Sequence, residues 1–88
     1  MRGDKRTVYI LRSDADPSHH YVGITSDLRA RLRWHNHGPC GWTQSNRPWS
    51  VTVSLEFSTQ QLAERFEKYL KSGSGRAFAK RHFGTADG

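Results

Sequence analysis

The chain has 88 residues, with 14 Lys and Arg against 8 Asp and Glu, for a formal charge of +6. That length supports one domain with a modest core and excludes a two-domain enzyme. A single cysteine excludes an internal disulfide framework and a four-cysteine zinc site, and the apolar run at residues 7–11 is too short for a signal-peptide core or a membrane span.

Residues 1–5 and 84–88 read as loose ends around a single domain whose core spans about 6–83. Val8-Tyr9-Ile10-Leu11 is β-branched and aromatic and predicts a first strand. Residues 14–18 are polar, hold Pro17 and predict a turn. His20-Tyr21-Val22-Gly23-Ile24 predicts a second strand, antiparallel to the first. Thr25-Ser26-Asp27 offers helix-start chemistry, and Leu28 and Leu32 then share the buried face of a helix that stops near Gly38-Pro39. Residues 37–47 form a loop. From Trp49 to Phe57 the odd positions are apolar and the even ones polar, which predicts a third strand with one buried and one wet face.

Ser58-Thr59-Gln60-Gln61 has the form of a capping box, with Ser58 as cap and a staple between Phe57 and Leu62. Leu62, Phe66, Tyr69 and Leu70 recur at helical spacing, and Gly73 and Gly75 end that helix. Residues 76–83 add a short final helix with Phe78 inward. The order β-β-α-β-α-(α) predicts an α+β domain, a small three-stranded antiparallel sheet flanked by helices.

Several residues could carry chemistry. Tyr9 and Tyr21 stand one on each hairpin strand, and packing alone explains such a pair. Gly23 inside a strand points to close approach by another group. Arg31 and His35 are four apart on one helix face, read either as solvated side chains or as a phosphate-facing pair. Glu67 with Lys71 one turn on is either a surface ion pair or a lone carboxylate for magnesium. His35-x-His37-x-x-Cys40 offers soft ligands for zinc but lacks an evident fourth. Trp42 and Trp49 flank Arg47; exposed aromatics beside Arg can stack on bases, while Trp49 fits the buried face of its strand.

The order of these pieces is more specific than any one of them. Val8-Tyr9-Ile10-Leu11 followed by Tyr21-Val22-Gly23-Ile24-Thr25 resembles the two signature strands of the GIY-YIG nuclease family. The stretch from Asp27 to Asn36 looks like that family's D-L-x-x-R-L-x-x-H-N helix, and Ala63-x-x-x-Glu67-x-x-x-Lys71 looks like the helix with its metal-binding glutamate. Thr43, Arg47-Pro48-Trp49 and a Leu-Lys-Ser-Gly-Ser-Gly-Arg stretch from Leu70 to Arg76 resemble the small stand-alone bacterial members. Two departures are visible. Thr7-Val8-Tyr9 stands where the name has Gly-Ile-Tyr, and no late asparagine near the metal is evident, since Asn46 lies before the third strand.

The resemblance implies that Tyr9 and Tyr21 orient or activate the attacking water, and that Gly23 is the signature glycine. It implies that Arg31 holds the scissile phosphate, His35 assists proton transfer and Glu67 binds a single Mg²⁺, with Mn²⁺ as a substitute. A phenol is a poor base unless a cation such as Arg31 lowers its pKa, and Tyr9 is the first candidate to take the proton. Arg31, Arg33, Arg47 and Lys71 are the candidate nucleic-acid contacts.

The resulting expectation is a cytoplasmic, metal-dependent endonuclease that hydrolyses phosphodiesters. DNA is favoured over RNA, with structure selectivity, a repair or recombination setting, and a partner protein that supplies targeting. No membrane is involved, since no helix joins a basic face to a large apolar one. The alternatives are a non-catalytic basic nucleic-acid-binding module on the same scaffold, and a zinc-dependent structural module. A lone metal carboxylate favours catalysis, because pure binding does not need one.

Overall fold

A computed structural model describes residues 4–39 and 41–85. The outermost ends of the chain and Cys40, with its place in the zinc reading, lie outside the described residues. The elements run β1 (Arg6–Ser13), β2 (His20–Thr25), α1 (Leu28–His37), a 3₁₀ segment (Gly41–Asn46), β3 (Trp49–Phe57), α2 (Gln60–Leu70) and α3 (Gly73–Phe83). The predicted order and the α+β architecture are both present. The sheet is antiparallel throughout, in the order β2-β1-β3. Among the described residues, no helix is long and apolar enough to cross a membrane.

β1 is the central strand and is covered on both faces, so all of Val8-Tyr9-Ile10-Leu11 is buried. Val8 and Ile10 point to α2 and α3, where they pack with Ala63, Leu70 and Ala79. Tyr9 and Leu11 point the other way, to Trp49 and to Leu28 and Leu32 of α1. Burying each large apolar side chain contributes about 1.5–3 kcal/mol.

β3 departs from simple alternation. Ile10 pairs with Val53 but Leu11 pairs with Val51, which leaves Thr52 without a ladder partner. This β-bulge changes the face to which the following residues point. Val53 and Phe57 join the α2/α3 core, whereas Trp49 joins the α1 side with Tyr9. The apolar odd positions of β3 therefore serve two cores, where the alternation predicted one buried face.

The helix ends also differ in detail. Asp27 alone caps α1, its carboxylate accepting from the Ala30 N–H. α2 is capped by Thr59, one residue later than expected, its hydroxyl accepting from the Leu62 N–H. The shift turns Leu62 outward, 43% exposed, and removes the expected staple with Phe57. Phe57 instead meets Phe66, with ring centroids 5.4 Å apart.

Gly73 and Gly75 do not end α2; both lie in the first turn of α3. Gly75 is buried, and a Cβ there would lie 1.7 Å from the Tyr69 carbonyl oxygen and 2.7 Å from the Leu70 Cα. Only glycine lets α3 start this close to the end of α2. Because backbone cannot yield as a side-chain tip can, Gly75→Ala is expected to cost about 3 kcal/mol or more. A thermal melt of the variant measures it.

Candidate active site

The hairpin register builds the first half of the site. Tyr9 lies directly opposite Gly23, and Leu11 opposite Tyr21. Opposed residues share a face, so Tyr9, Gly23 and Tyr21 all face α1. The Tyr9 ring crosses over Gly23, where a Cβ would come within 2.5 Å of the phenol oxygen and 3.0 Å of the Tyr21 ring. The missing side chain is what allows the Tyr9 hydroxyl to reach α1.

His35 receives it. The Tyr9 hydroxyl and His35 Nε2 are 2.9 Å apart, and both residues are buried. On its other side His35 Nδ1 is 3.1 Å from Thr43 Oγ1 in the 3₁₀ segment. We assign the Nδ1–H tautomer, in which Thr43 accepts and Tyr9 donates to Nε2. Tyr21 completes the cluster, its ring centroid 4.7 Å from that of His35 and 6.2 Å from that of Tyr9.

Burial favours the neutral forms of Tyr9 and His35. Burial pushes the Tyr9 phenol well above its ordinary value; Tyr21 and Glu67 add to the rise, and Arg31 opposes it. The expected help from Arg31 has the right sign, but desolvation outweighs it. His35 is held below its ordinary 6.5, first by burial and then by the charges of Arg31 and Arg47. Tyr9 is thus the point at which the influence of Tyr21, Arg31 and Glu67 meets, while His35 is bonded to it directly.

Arg31 is exposed, with its guanidinium carbon 5.1 Å from the centre of the Trp34 ring, which limits its freedom. Glu67 sits beside the buried Ala63/Leu70 stripe of α2, its side chain 19% exposed, with Oε2 2.5 Å from Lys71 Nζ. A single carboxylate in this setting fits a hard divalent cation, which takes one or two carboxylates and fills its shell with water and phosphate oxygens. No cluster of three or more His, Cys, Asp or Glu exists among the described residues, and both ring nitrogens of His35 already have partners.

The other basic candidates separate. Arg33 is exposed on α1, and Lys71 is exposed but paired with Glu67. Arg47 is committed elsewhere: its Nε donates to the His35 carbonyl at 2.7 Å and its Nη2 to the Gly38 carbonyl. These are end carbonyls of α1 that lack helical partners. Arg47 therefore holds the loop against α1 instead of standing as an open phosphate contact.

Two residues had no assigned role in the sequence reading. Thr43 fixes the His35 ring, and its own carbonyl accepts from the Trp49 indole N–H at 2.8 Å. Asn36 clamps β3 to α1 by donating to the Trp49 carbonyl at 3.1 Å and accepting from the Trp49 N–H at 2.6 Å. Thr43 could be picked out only through the family resemblance, and Asn36 only through its place beside His35 in the helix motif.

Gly23→Ala tests the geometry. The new methyl forces the Tyr9 hydroxyl away from His35 in a packed site, so activity is expected to fall at least about tenfold, with about 1–3 kcal/mol of lost stability. Cleavage rates and a melt on the same sample measure both.

No curated protein matches the chain. The family model described as GIY-YIG catalytic domain matches residues 5–81 of the 88. That span takes in both tyrosine strands, the Arg31/His35 helix and the Glu67 helix, and the chain belongs to the GIY-YIG family of nuclease domains.

Proposed function

We propose that this protein is a divalent-metal-dependent endonuclease acting on DNA, with Tyr9, Tyr21, Arg31, His35 and Glu67 as its working residues. The observation that carries the reading is the buried Tyr9–His35 hydrogen bond of 2.9 Å, set where the influence of Tyr21, Arg31 and Glu67 converges. Arg31 and Glu67 both act on the Tyr9 phenol through their charge, in opposite directions.

The reaction needs a proton removed from water as its oxygen attacks phosphorus. A phenol raised by burial is almost never a phenolate at neutral pH, so Tyr9 cannot act as a pre-ionised base. It can accept the water proton while passing its own to His35 Nε2. The water O–H bond breaks, the P–O bond forms, and the positive charge comes to rest on an imidazole held by Thr43. Tyr21, the more exposed phenol, orients the water. Arg31 neutralises charge growing on the nonbridging oxygens. The P–O3′ bond then breaks, the departing oxygen takes a proton from solvent water, and His35 releases its own to the hydroxide so formed, which restores the resting state. Glu67 would hold Mg²⁺, or Mn²⁺ in its place, which when bound supplies positive charge to the leaving oxygen.

The test is cleavage of duplex, single-stranded, flap and branched DNA, with one RNA control, in Mg²⁺, Mn²⁺ or EDTA. Cutting of at least one DNA that stops in EDTA is the expected result. Salt-sensitive binding to every substrate with no cutting overturns the nuclease reading in favour of a binding module. The substrate ranking reads out structure selectivity, on which a role in repair or recombination and a targeting partner depend.

A further inference from the structure

β2 is an edge strand, and along its free side runs an open cleft of about 660 Å³. That volume falls within the roughly 300–1,000 Å³ of small-molecule sites. The catalytic cluster touches it only through Tyr21. Its floor is apolar, with Val22 of β2 and Leu70 of α2. Lys71 and Arg76, both exposed, stand on one side where α2 passes into α3. Trp42 and His19 stand on the other.

Trp42 is unusual for so small a protein, being 57% exposed and yet supported from behind. Its ring lies 6.4 Å from that of Tyr21 at an interplanar angle of 29°, and 5.9 Å from the buried Trp49. His19 packs beside it at 6.2 Å and is itself anchored, with Nδ1 2.8 Å from Asn46 Oδ1. An indole held on several sides but left open on the cleft is a preorganised flat surface. Exposing it without an occupant is costly, and its fixed position gives an incoming ring little ordering entropy to lose.

We propose that this cleft seats one unpaired base of the nucleic-acid strand, stacked on Trp42, with the flanking phosphate drawn to Arg76 and Lys71. The proposal rests on the nucleic-acid reading of the neighbouring site and assigns it a base-binding subsite. Charge decides the occupant. A cleft lined by an exposed indole, by Arg76 and by Lys71, the last shared with Glu67, on a chain of net charge +6, complements an aromatic base joined to an anionic phosphate. Pairing decides which bases qualify, because in an intact duplex both faces of a base are already stacked. Since Tyr21 borders both the cleft and the Tyr9–His35 pair, a base seated here brings its strand to the edge of the proposed site.

The experiment is equilibrium binding in EDTA, where no cutting occurs, of a fluorescent oligothymidylate and of a perfect duplex of equal length. The proteins are wild type, Trp42→Ala, Trp42→Phe and Arg76→Gln. Trp42→Ala is expected to weaken single-strand binding roughly tenfold and to leave the duplex unchanged, and Trp42→Phe to restore most of the loss. Arg76→Gln is expected to lower the salt slope of single-strand binding by about one phosphate contact. Equal loss on both nucleic acids, or none on the single strand, overturns the seat. Wild-type cleavage in Mg²⁺ is scored separately. Cutting without Trp42-dependent binding removes the seat and keeps the nuclease; Trp42-dependent binding without cutting does the reverse.

Discussion

Glu67→Ala and Arg31→Ala are each expected to lower metal-dependent cleavage at least about a hundredfold, with little change in thermal stability. Neither side chain builds the core. Among the described residues Glu67 pairs with the exposed Lys71, an interaction worth no more than about 1 kcal/mol, and Arg31 lies on the surface over Trp34. In the proposed mechanism Arg31 would neutralise charge that grows on the phosphate in the transition state, and Glu67 would hold the cation that supplies positive charge there. Arg31→Lys should recover only part of the loss, because an ammonium cannot offer two parallel donors to phosphate oxygens. Single-turnover rates in saturating Mg²⁺ measure the effect. Wild-type rates in both alanine variants would remove Glu67 and Arg31 from the site.

How much of this was visible in the amino-acid order depends on the range of the interaction. Tyr9, Gly23 and Tyr21 could be read because one hairpin register sets all three, and strand periodicity is local. Arg31 and His35 could be read because four residues make about one helical turn. Features that join distant segments were not legible in the same way. Whether Trp49 and Val53 face the same side depends on the bulge at Thr52, which arises where β3 pairs with β1. Gly75 looked like a helix stop because glycine usually is one. Its actual role is set by the Tyr69 carbonyl packed against it. Arg47 looked like a nucleic-acid contact because Trp42 and Trp49 flank it in the sequence, but its guanidinium bonds the open end of α1. The expectation that Arg31 would lower the Tyr9 pKa left out burial, which cannot be judged before the core is assembled.

Tyr9→Phe is expected to cut at least about a hundredfold more slowly while keeping the fold, since the ring still fills its place over Gly23. If Tyr9 passes its proton to His35, the two act as one unit. His35→Gln should then show a comparable loss, and the double variant should be little worse than either single one. Full additivity would separate the two residues, and a wild-type rate in Tyr9→Phe with a collapse in Tyr21→Phe would move the proton acceptor to Tyr21. The same pair shapes stability against pH. His35 is depressed in the folded state, so its contribution is complete above 6.5 and is lost as pH falls below that value. His20, also depressed by burial and by Arg12, adds to this acid limb. Tyr9 is raised, so its contribution holds below 10.0 and is lost as pH rises beyond it. Thermal melts across that range should show decline on both sides for wild type, a shallower alkaline limb for Tyr9→Phe and a shallower acid limb for His35→Gln. Both limbs follow from the burial of the pair, so they test its resting state, a protonated Tyr9 beside a neutral His35, from which the proposed relay starts.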